Sequence, residues 1–147
     1  MVTTTKPDGF IPNVKVSGVL IMCKGELLLI KRSATKQFGA NQWAIVGGKV
    51  DEGETYFKAL VRETQEEVGI LLEESWIQKN TLYYHVPDSD KQYMLEYSLY
   101  VVSIDEKLAV TLNEENTDFG WFTFDETKEL NLIEDALYCM VDILENK

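Results

Sequence analysis

Residues 55–69 are predicted to form one amphipathic helix, and the two faces of this helix constrain the fold more than any other stretch of the sequence. Thr55 is a suitable N-cap, and Gly69 is placed to end the helix. One face carries apolar or β-branched side chains at helical spacing: Phe57, Leu60, Val61, Thr64 and Val68. A stripe of this kind packs against a hydrophobic core, so we expect the helix to cover one.

An adjacent face of the same helix carries Glu63, Glu66 and Glu67, which lie one turn apart. Like charges at this spacing repel one another and destabilise an isolated helix by a few tenths of a kcal/mol per pair. A divalent cation would offset that repulsion, and carboxylate oxygens are the ligands that Mg²⁺ prefers. On these three residues alone, a solvated acidic surface is the commoner alternative.

A wider pattern surrounds the three glutamates and runs from Gly48 to Ile70. It has the form Gly-x5-Glu-x7-Arg-Glu-U-x-Glu-Glu-x-Gly-U, where U is a bulky aliphatic residue. The fixed positions are Gly48, Glu54, Arg62, Glu63, Glu66, Glu67 and Gly69, and Ile70 fills the last U. This stretch resembles the Nudix box of the Nudix hydrolases. Thr64 departs from the pattern at the first U, and we expect its hydroxyl to bond a backbone carbonyl one turn back.

The rest of the chain predicts a mixed β-sheet with helices packed on it, which is an α/β fold. Apolar runs predict strands over 14–23, 26–32, 42–46, 76–86, 92–104 and 119–124. Polar residues predict a loop over 113–118, and apolar residues at helical spacing predict a second helix over 132–144. The first two strands read as a hairpin, and a hairpin turn is expected at 87–90. Residues 1–12 read as a flexible leader before a single domain of residues 13–147. The Nudix family has such an α/β/α sandwich.

The net charge of −11 argues against a broad basic surface for extended nucleic acid or for an anionic membrane. An acidic protein that handles an acidic substrate needs a metal ion to bridge the two. Cys23 and Cys139 have no metal-ligand spacing, and their apolar neighbours predict buried free thiols in a reducing compartment. No secretory signal and no apolar run of ~18 residues is visible, so we expect a cytoplasmic monomer or homodimer without a membrane partner.

The resemblance to Nudix hydrolases implies a set of metal ligands. It implies that Glu63, Glu66 and Glu67 bind Mg²⁺, for which Mn²⁺ could substitute. The backbone carbonyl of Gly47 could add a further ligand, since a glycine lets the backbone approach a metal and a phosphate closely. In such enzymes the metal neutralises the charge of a diphosphate and activates water for attack on phosphorus.

The resemblance also implies roles around these ligands. Glu54 and Arg62 resemble the pair that braces the box loop against the helix. Two residues are candidates for the group that accepts a proton from water. Glu63 is the candidate within the box, and Glu115, on a late loop before Trp121, is the other. The alternative for Glu115 is an ordinary loop carboxylate.

Basic and aromatic residues near the box are candidates for binding a nucleotide. Arg32 and Lys49 could contact phosphates; we favour that role slightly for Arg32, whereas for Lys49 a solvated side chain is at least an equal alternative. Phe38, Tyr84 and Trp121 could stack on a base, since an aromatic face accepts any nucleobase. Aromatic residues on strands are more often part of a core, so that alternative stays open for each of them.

The substrate expected from the resemblance is a small nucleotide. Small single-domain Nudix enzymes often cleave a nucleoside triphosphate to a monophosphate and pyrophosphate, and we expect that reaction here. Members that act on ADP-ribose carry a proline at a set distance past the box, and Pro87 falls close to that place, within the expected hairpin turn. Another nucleotide sugar, a dinucleotide, or a catalytically silent nucleotide-binding module are further alternatives. The complete set of box glutamates favours an enzyme.

Overall fold

The computed structural model describes residues 2–86 and 94–146. These residues form eight strands: β1 (Val2–Thr3), β2 (Val14–Cys23), β3 (Glu26–Arg32), β4 (Trp43–Ala44), β5 (Val46–Lys49), β6 (Ile77–His85), β7 (Leu95–Ile104) and β8 (Asn116–Thr123). The helices are α1 (Tyr56–Val68), α2 (Phe124–Thr127) and α3 (Ala136–Glu145), with a short 3₁₀ helix at Glu74–Trp76. No helix in these residues has both the length and the apolar character that crossing a membrane requires.

β2 lies at the centre of a mixed sheet. It pairs in parallel with β7 along its whole length and antiparallel with β5. β2 and β3 share only the pairs next to their turn, Met22 with Leu27 and Cys23 with Glu26. Beyond that point β5 pairs with β2, while β3 turns away to pair with β4 and β8. The hairpin predicted over 14–32 is therefore paired only at its closed end.

The sheet separates two hydrophobic cores, one under each helical layer. On one side, Leu60 and Val68 of α1 pack with residues of β2 and β7 such as Val19 and Val102. On the other side, Met140 of α3 packs with further residues of the same two strands. Strand residues alternate between the two cores because successive side chains point to opposite faces. The predicted α/β/α sandwich is confirmed.

α1 has the ends that its sequence predicts. The Thr55 side chain accepts a hydrogen bond from the Lys58 amide at 3.1 Å, and Gly69 adopts a left-handed conformation with φ of 72°. Thr64 lies on the buried stripe, but its hydroxyl has no hydrogen-bond partner among the described residues. The expected bond to a carbonyl one turn back is not formed, so α1 buries an unsatisfied hydroxyl.

β8 and α3 begin at positions that differ from the prediction, and the single strand expected over 42–46 is divided into β4 and β5. β8 starts at Asn116, inside the expected polar loop, because its backbone pairs with β3. α3 starts at Ala136 instead of at residue 132, because Trp43 holds the backbone of 131–133. The Trp43 amide donates to the Asn131 carbonyl, and the Trp43 carbonyl accepts from the Ile133 amide, both at 2.8 Å. The expected turn at 87–90 lies outside the described residues.

The segment expected to form a leader contacts the sheet. Val2 and Thr3 pair with β6 opposite His85 and Tyr84. Phe10 is buried and packs edge-on against Tyr84, with ring centroids 5.3 Å apart. These contacts extend the sheet by a short edge strand and cover one of its aromatic side chains.

Candidate active site

Glu67, in the last turn of α1, is a buried carboxylate held by neutral groups. Glu67 is only 6% exposed. The Gly47 amide donates to Oε1 at 2.8 Å, and the Asn116 Nδ2 amide lies 3.5 Å from Oε2. Burial raises the pKa of Glu67 to about 7, although both hydrogen bonds act in the opposite direction. Within residues 2–86 and 94–146, no basic side chain forms an ion pair with this carboxylate.

The two glycines that enter the box are each fixed by a close neighbour. A Cβ at Gly47 would come within 2.0 Å of the Ser17 carbonyl oxygen, which belongs to the paired strand β2. A Cβ at Gly48 would come within 2.3 Å of the Glu63 carboxylate. The first glycine therefore lets two backbones pair closely, and the second makes room for a carboxylate of α1.

Arg62 braces the box loop against α1. Its Nε and Nη2 donate to the two oxygens of Glu54 at 2.9 and 2.8 Å, and Nη2 also donates to the Lys49 carbonyl at 3.0 Å. The Arg62 hydrogen bonds, with one from the Asp51 amide, hold the pKa of Glu54 down to about 2. A two-pronged pair of this kind fixes orientation as well as charge, and it matches the bracing role expected for Glu54 and Arg62.

Arg62 also faces the other two glutamates of α1. Its Nη1 donates to Glu63 Oε1 at 2.9 Å and lies 3.6 Å from Glu66 Oε2. Burial raises the pKa of Glu63, and the Arg62 contacts oppose that shift. Glu63 and Glu66 therefore have a cation beside them, whereas Glu67 has none among the described residues.

The three glutamates fit a hard divalent cation by their chemistry. In the described part of the chain, no three His, Cys, Asp or Glu side chains already converge on one point that could hold a metal ion. Glu63 and Glu66 turn towards Arg62, while Glu67 keeps a buried charge that only neutral donors offset. Oxygen ligands and an uncompensated negative charge are what Mg²⁺ or Mn²⁺ requires. Glu63, Glu66 and Glu67 would hold such an ion, and the Gly47 carbonyl remains an expected additional ligand.

The loop before β8 brings a further carboxylate to this region. Glu115 Oε1 accepts from Lys36 Nζ at 2.8 Å, and its Oε2 accepts from Asn113 Nδ2 at 3.3 Å. The Lys36 hydrogen bond holds the pKa of Glu115 below its usual range. The negative charge of Glu115 is near enough to raise the pKa of both Glu63 and Glu67. The structure therefore brings Glu115 near the box glutamates, and its role as a proton acceptor stays a prediction.

The predicted nucleotide-binding residues are less uniformly placed. Arg32 donates from Nε to the Phe38 carbonyl at 3.0 Å, so it supports its own loop, and the Phe38 side chain is 56% exposed. Lys49 is exposed beside the box loop. Trp121 is half-buried over the α1-side core, with Lys107 Nζ 5.8 Å from its ring centroid. Tyr84 is 8% exposed beneath Phe10, so its ring presents no open face for a base.

One residue of the site has no counterpart in the sequence prediction. Asn116 contacts Glu67, yet it lies in a polar stretch that predicts only a loop. Its position depends on the pairing of β8 with β3, which joins residues far apart in the chain. No local pattern in the sequence indicates that pairing.

The family model of the NUDIX domain matches residues 12–141. The nucleoside triphosphatase NudI of Klebsiella pneumoniae subsp. pneumoniae is 32% identical over 120 residues, which cover 77% of this chain and 84% of that protein. A braced helix with box glutamates on an α/β/α sandwich defines a hydrolase of diphosphate bonds. The chain belongs to the Nudix family, and its activity is that of a pyrophosphohydrolase.

Solved structures show the same fold at lower identity. The MutT protein of Methanosarcina mazei Go1 matches with a TM-score of 0.72 at 20% identity, over 92% of this chain and 97% of that chain. A bifunctional NMN adenylyltransferase/ADP ribose pyrophosphatase of Francisella tularensis, complexed with AMP and a manganese ion, matches with a TM-score of 0.75 at 20% identity. This match covers 93% of this chain and 42% of that protein.

Proposed function

We propose that this chain hydrolyses a nucleoside triphosphate to the monophosphate and pyrophosphate, and that the reaction requires Mg²⁺, for which Mn²⁺ can substitute. The observation that carries the proposal is the buried Glu67 carboxylate, which sits beside two further glutamates and has only neutral partners. A buried charge without an oppositely charged partner is strongly unfavourable, so this position gains most from a bound cation. The similarity to NudI supports a triphosphate as the substrate.

The reaction needs a nucleophile, charge neutralisation and a proton acceptor. A divalent cation held by Glu63, Glu66 and Glu67 would neutralise the phosphates and make a nearby water molecule more acidic. The water oxygen forms a bond to phosphorus, the bond from phosphorus to the pyrophosphate oxygen breaks, and the electron pair leaves with pyrophosphate. The proton of the attacking water passes to a carboxylate of this chain. Arg62 and Glu54 keep α1 fixed against the box loop while this occurs.

We assign the proton acceptor to Glu63 in preference to Glu115. Both oxygens of Glu115 accept hydrogen bonds, from Lys36 and Asn113, and its lowered pKa makes it a weaker base. As a ligand of the cation, Glu63 would lie beside the acidified water, and burial raises its pKa in the metal-free protein. Glu63 also lies against Gly48, next to the strand that delivers the Gly47 amide to Glu67.

Binding of the nucleotide is proposed for the exposed side chains near this site. Phe38 offers an accessible ring, and Trp121 offers a partly open one. Lys49 is exposed next to the box loop and could contact a phosphate, whereas Arg32 would do so while holding the Phe38 loop. The Francisella tularensis protein is named an ADP ribose pyrophosphatase, which keeps ADP-ribose as a second candidate substrate.

A cytoplasmic location is proposed from the cysteines. Cys23 and Cys139 are both free and buried, in different cores of the sandwich. Unpaired thiols are typical of a reducing compartment.

The test is a hydrolysis screen of the purified chain over nucleoside triphosphates, deoxynucleoside triphosphates, ADP-ribose and dinucleoside polyphosphates. Each reaction runs with Mg²⁺, with Mn²⁺ and with excess chelator, and products are separated by ion-exchange chromatography. The proposal predicts a monophosphate and pyrophosphate from a triphosphate, and no product with chelator. Turnover that persists in chelator would exclude the metal requirement, and cleavage of ADP-ribose alone would exclude the triphosphate.

A further inference from the structure

Asn116 reaches the α1 side of the sheet only because β8 contains a bulge. Lys31 pairs with Asp118, but its neighbour Arg32 pairs with Asn116, so Thr117 is an extra residue in β8. By strict alternation Asn116 would share a face with Phe122, which packs on the α3-side core. One extra residue reverses the face of every position beyond it. The bulge therefore turns Asn116 towards α1 and Glu67.

The contacts of Asn116 complete the surroundings of Glu67. Asn116 is 5% exposed, and its Nδ2 lies 3.5 Å from Glu67 Oε2 and 3.4 Å from Asn113 Oδ1. The contact with Glu67 is long for a hydrogen bond, but the positive end of the amide dipole faces a buried anion, where screening is weak. Gly47 holds the opposite oxygen at 2.8 Å. The carboxylate is thus held from β5 on one side and from β8 on the other.

The second polar atom of Asn116 is unsatisfied. Its Oδ1 is buried and has no hydrogen-bond partner among the described residues. The opposite amide orientation would place Oδ1 against the Glu67 carboxylate, where two acceptors repel. A buried acceptor without a partner is unfavourable in a stable fold and is a common feature of functional sites.

We propose that Asn116 is a positioning residue for the cation site: its amide nitrogen orients the Glu67 carboxylate, and its free Oδ1 accepts a hydrogen bond from a water molecule at that site. The inference rests on the proposed function, because it requires that Glu67 bind a divalent cation. Asn116 acts through Glu67 and does not itself hold the ion. Partners that orient metal ligands commonly contribute 10–100-fold to metal affinity.

A purely structural role for Asn116 makes the opposite forecast. If the side chain served only to hold the bulge, its replacement would lower thermal stability and leave cation affinity unchanged. If it orients Glu67, an apolar side chain of similar size removes the unsatisfied oxygen, which favours the fold, and the amide beside Glu67, which disfavours it, so we expect a small net change in the metal-free melting temperature. Cation affinity would fall in the same variant. The two readouts therefore separate the roles.

The experiment measures Mn²⁺ affinity by electron paramagnetic resonance, with the full chain, no nucleotide, and thermal melts of the metal-free protein alongside. The variants are Asn116→Leu and Asn116→Ala, so that whichever gives a cooperative melt carries the test. Asn80→Ala is the control on another strand, because Asn80 is more exposed than Asn116 but also makes two hydrogen bonds, to Ser98 and Leu99, on β6. We expect a 10–100-fold rise in the Mn²⁺ Kd for the Asn116 variants and no change for Asn80→Ala.

Three results would overturn the inference. An Asn116 variant that binds Mn²⁺ as wild type does, while wild type binds it tightly, rejects the positioning role and leaves the proposed function standing. An equal loss of affinity in Asn80→Ala shows that the effect follows from general destabilisation. A wild-type chain that does not bind Mn²⁺ overturns the proposed function and this inference together.

Discussion

Glu63 and Glu67 lie one turn apart on α1, yet the protein holds them in opposite ways. Glu63 accepts a hydrogen bond from the Arg62 guanidinium, a permanent cation. Glu67 is more deeply buried and accepts from the Gly47 amide, with the neutral Asn116 amide beyond it. The negative charge of Glu63 is therefore compensated within the fold, and that of Glu67 is not.

This difference is the basis of the proposed cation requirement. Without metal, burial disfavours the ionised form of Glu67 strongly enough to raise its pKa to about 7. In the proposed site, a cation near Glu67 would offset that penalty. Arg62 would then hold the box loop against α1, and the ion would compensate the charge beside Gly47.

The largest expected effect is on turnover in Glu67→Gln. Glutamine keeps the shape, and its oxygen can still accept from Gly47, but it removes the anionic charge that would hold the ion. We expect kcat to fall at least 10²-fold, which is about 2.7 kcal/mol or more of lost transition-state stabilisation. Steady-state kinetics under saturating Mg²⁺ measure this. Glu52→Gln, which removes one exposed charge of the same loop region, should keep wild-type turnover.

The second prediction concerns the pH dependence of metal-free stability. The pKa of Glu67 is about 7 in the folded protein against 4.5 in the unfolded chain, so the folded state binds more protons between these values. This contribution is complete below pH 4.5 and is lost as the pH rises through 7. Relative to wild type, we expect the free energy of unfolding of Glu67→Gln to rise by about 2–3 kcal/mol from pH 5 to pH 8. Urea unfolding of both proteins at the two pH values measures this change. If the difference between variant and wild type is the same at pH 5 and pH 8, the pKa of Glu67 is not raised.

The third prediction separates the two adjacent glycines. Gly47→Ala places a methyl group against the Ser17 backbone, so we expect a loss of about 2–3 kcal/mol in the free energy of unfolding. Gly48→Ala places the methyl group against the mobile end of the Glu63 side chain. That carboxylate can move, so stability should change by less than about 1 kcal/mol while turnover falls. Unfolding curves and steady-state kinetics of both variants measure these effects. Equal losses of unfolding free energy in the two variants would contradict the prediction.

The smallest expected effect is at Thr64, on the buried stripe of α1. Thr64→Val removes a hydroxyl that has no partner among the described residues and keeps the branched shape. We expect the free energy of unfolding to rise by about 1 kcal/mol with turnover unchanged. Thr55→Val is the contrasting variant, since the Thr55 hydroxyl caps α1 and its loss should destabilise by about 1 kcal/mol. A destabilised Thr64→Val would show that the hydroxyl has a partner.

The sequence predicts the parts of this site that lie on one helix. Helical spacing determines which residues of α1 share a face, so the buried stripe and both helix ends are confirmed at Thr55 and Gly69. The Glu54–Arg62 pair follows from the same box pattern and is present. These features depend on neighbours within a few turns, which a local pattern encodes.

Features that depend on strand pairing were not predictable in this way. Asn116 joins the site through a bulge opposite β3, and α3 begins late because Trp43 holds the backbone of 131–133. Tyr84 is covered by Phe10, from a segment that the sequence describes only as polar. Each of these contacts joins residues that are distant in the chain, and hydrophobic periodicity carries no information about them.

Calorimetric titration of Mn²⁺ into the nucleotide-free chain at pH 8 tests most directly whether the buried Glu67 carboxylate binds the cation. The titration is run on wild type, Glu67→Gln and Glu52→Gln. The two variants lose the same charge, so long-range electrostatics cancel between them. If Glu67 binds the cation, Glu67→Gln weakens Mn²⁺ binding by at least tenfold, about 1.4 kcal/mol, while Glu52→Gln binds Mn²⁺ as wild type does. Equal affinity in wild type and Glu67→Gln would contradict the claim that the buried carboxylate is the position that requires the cation.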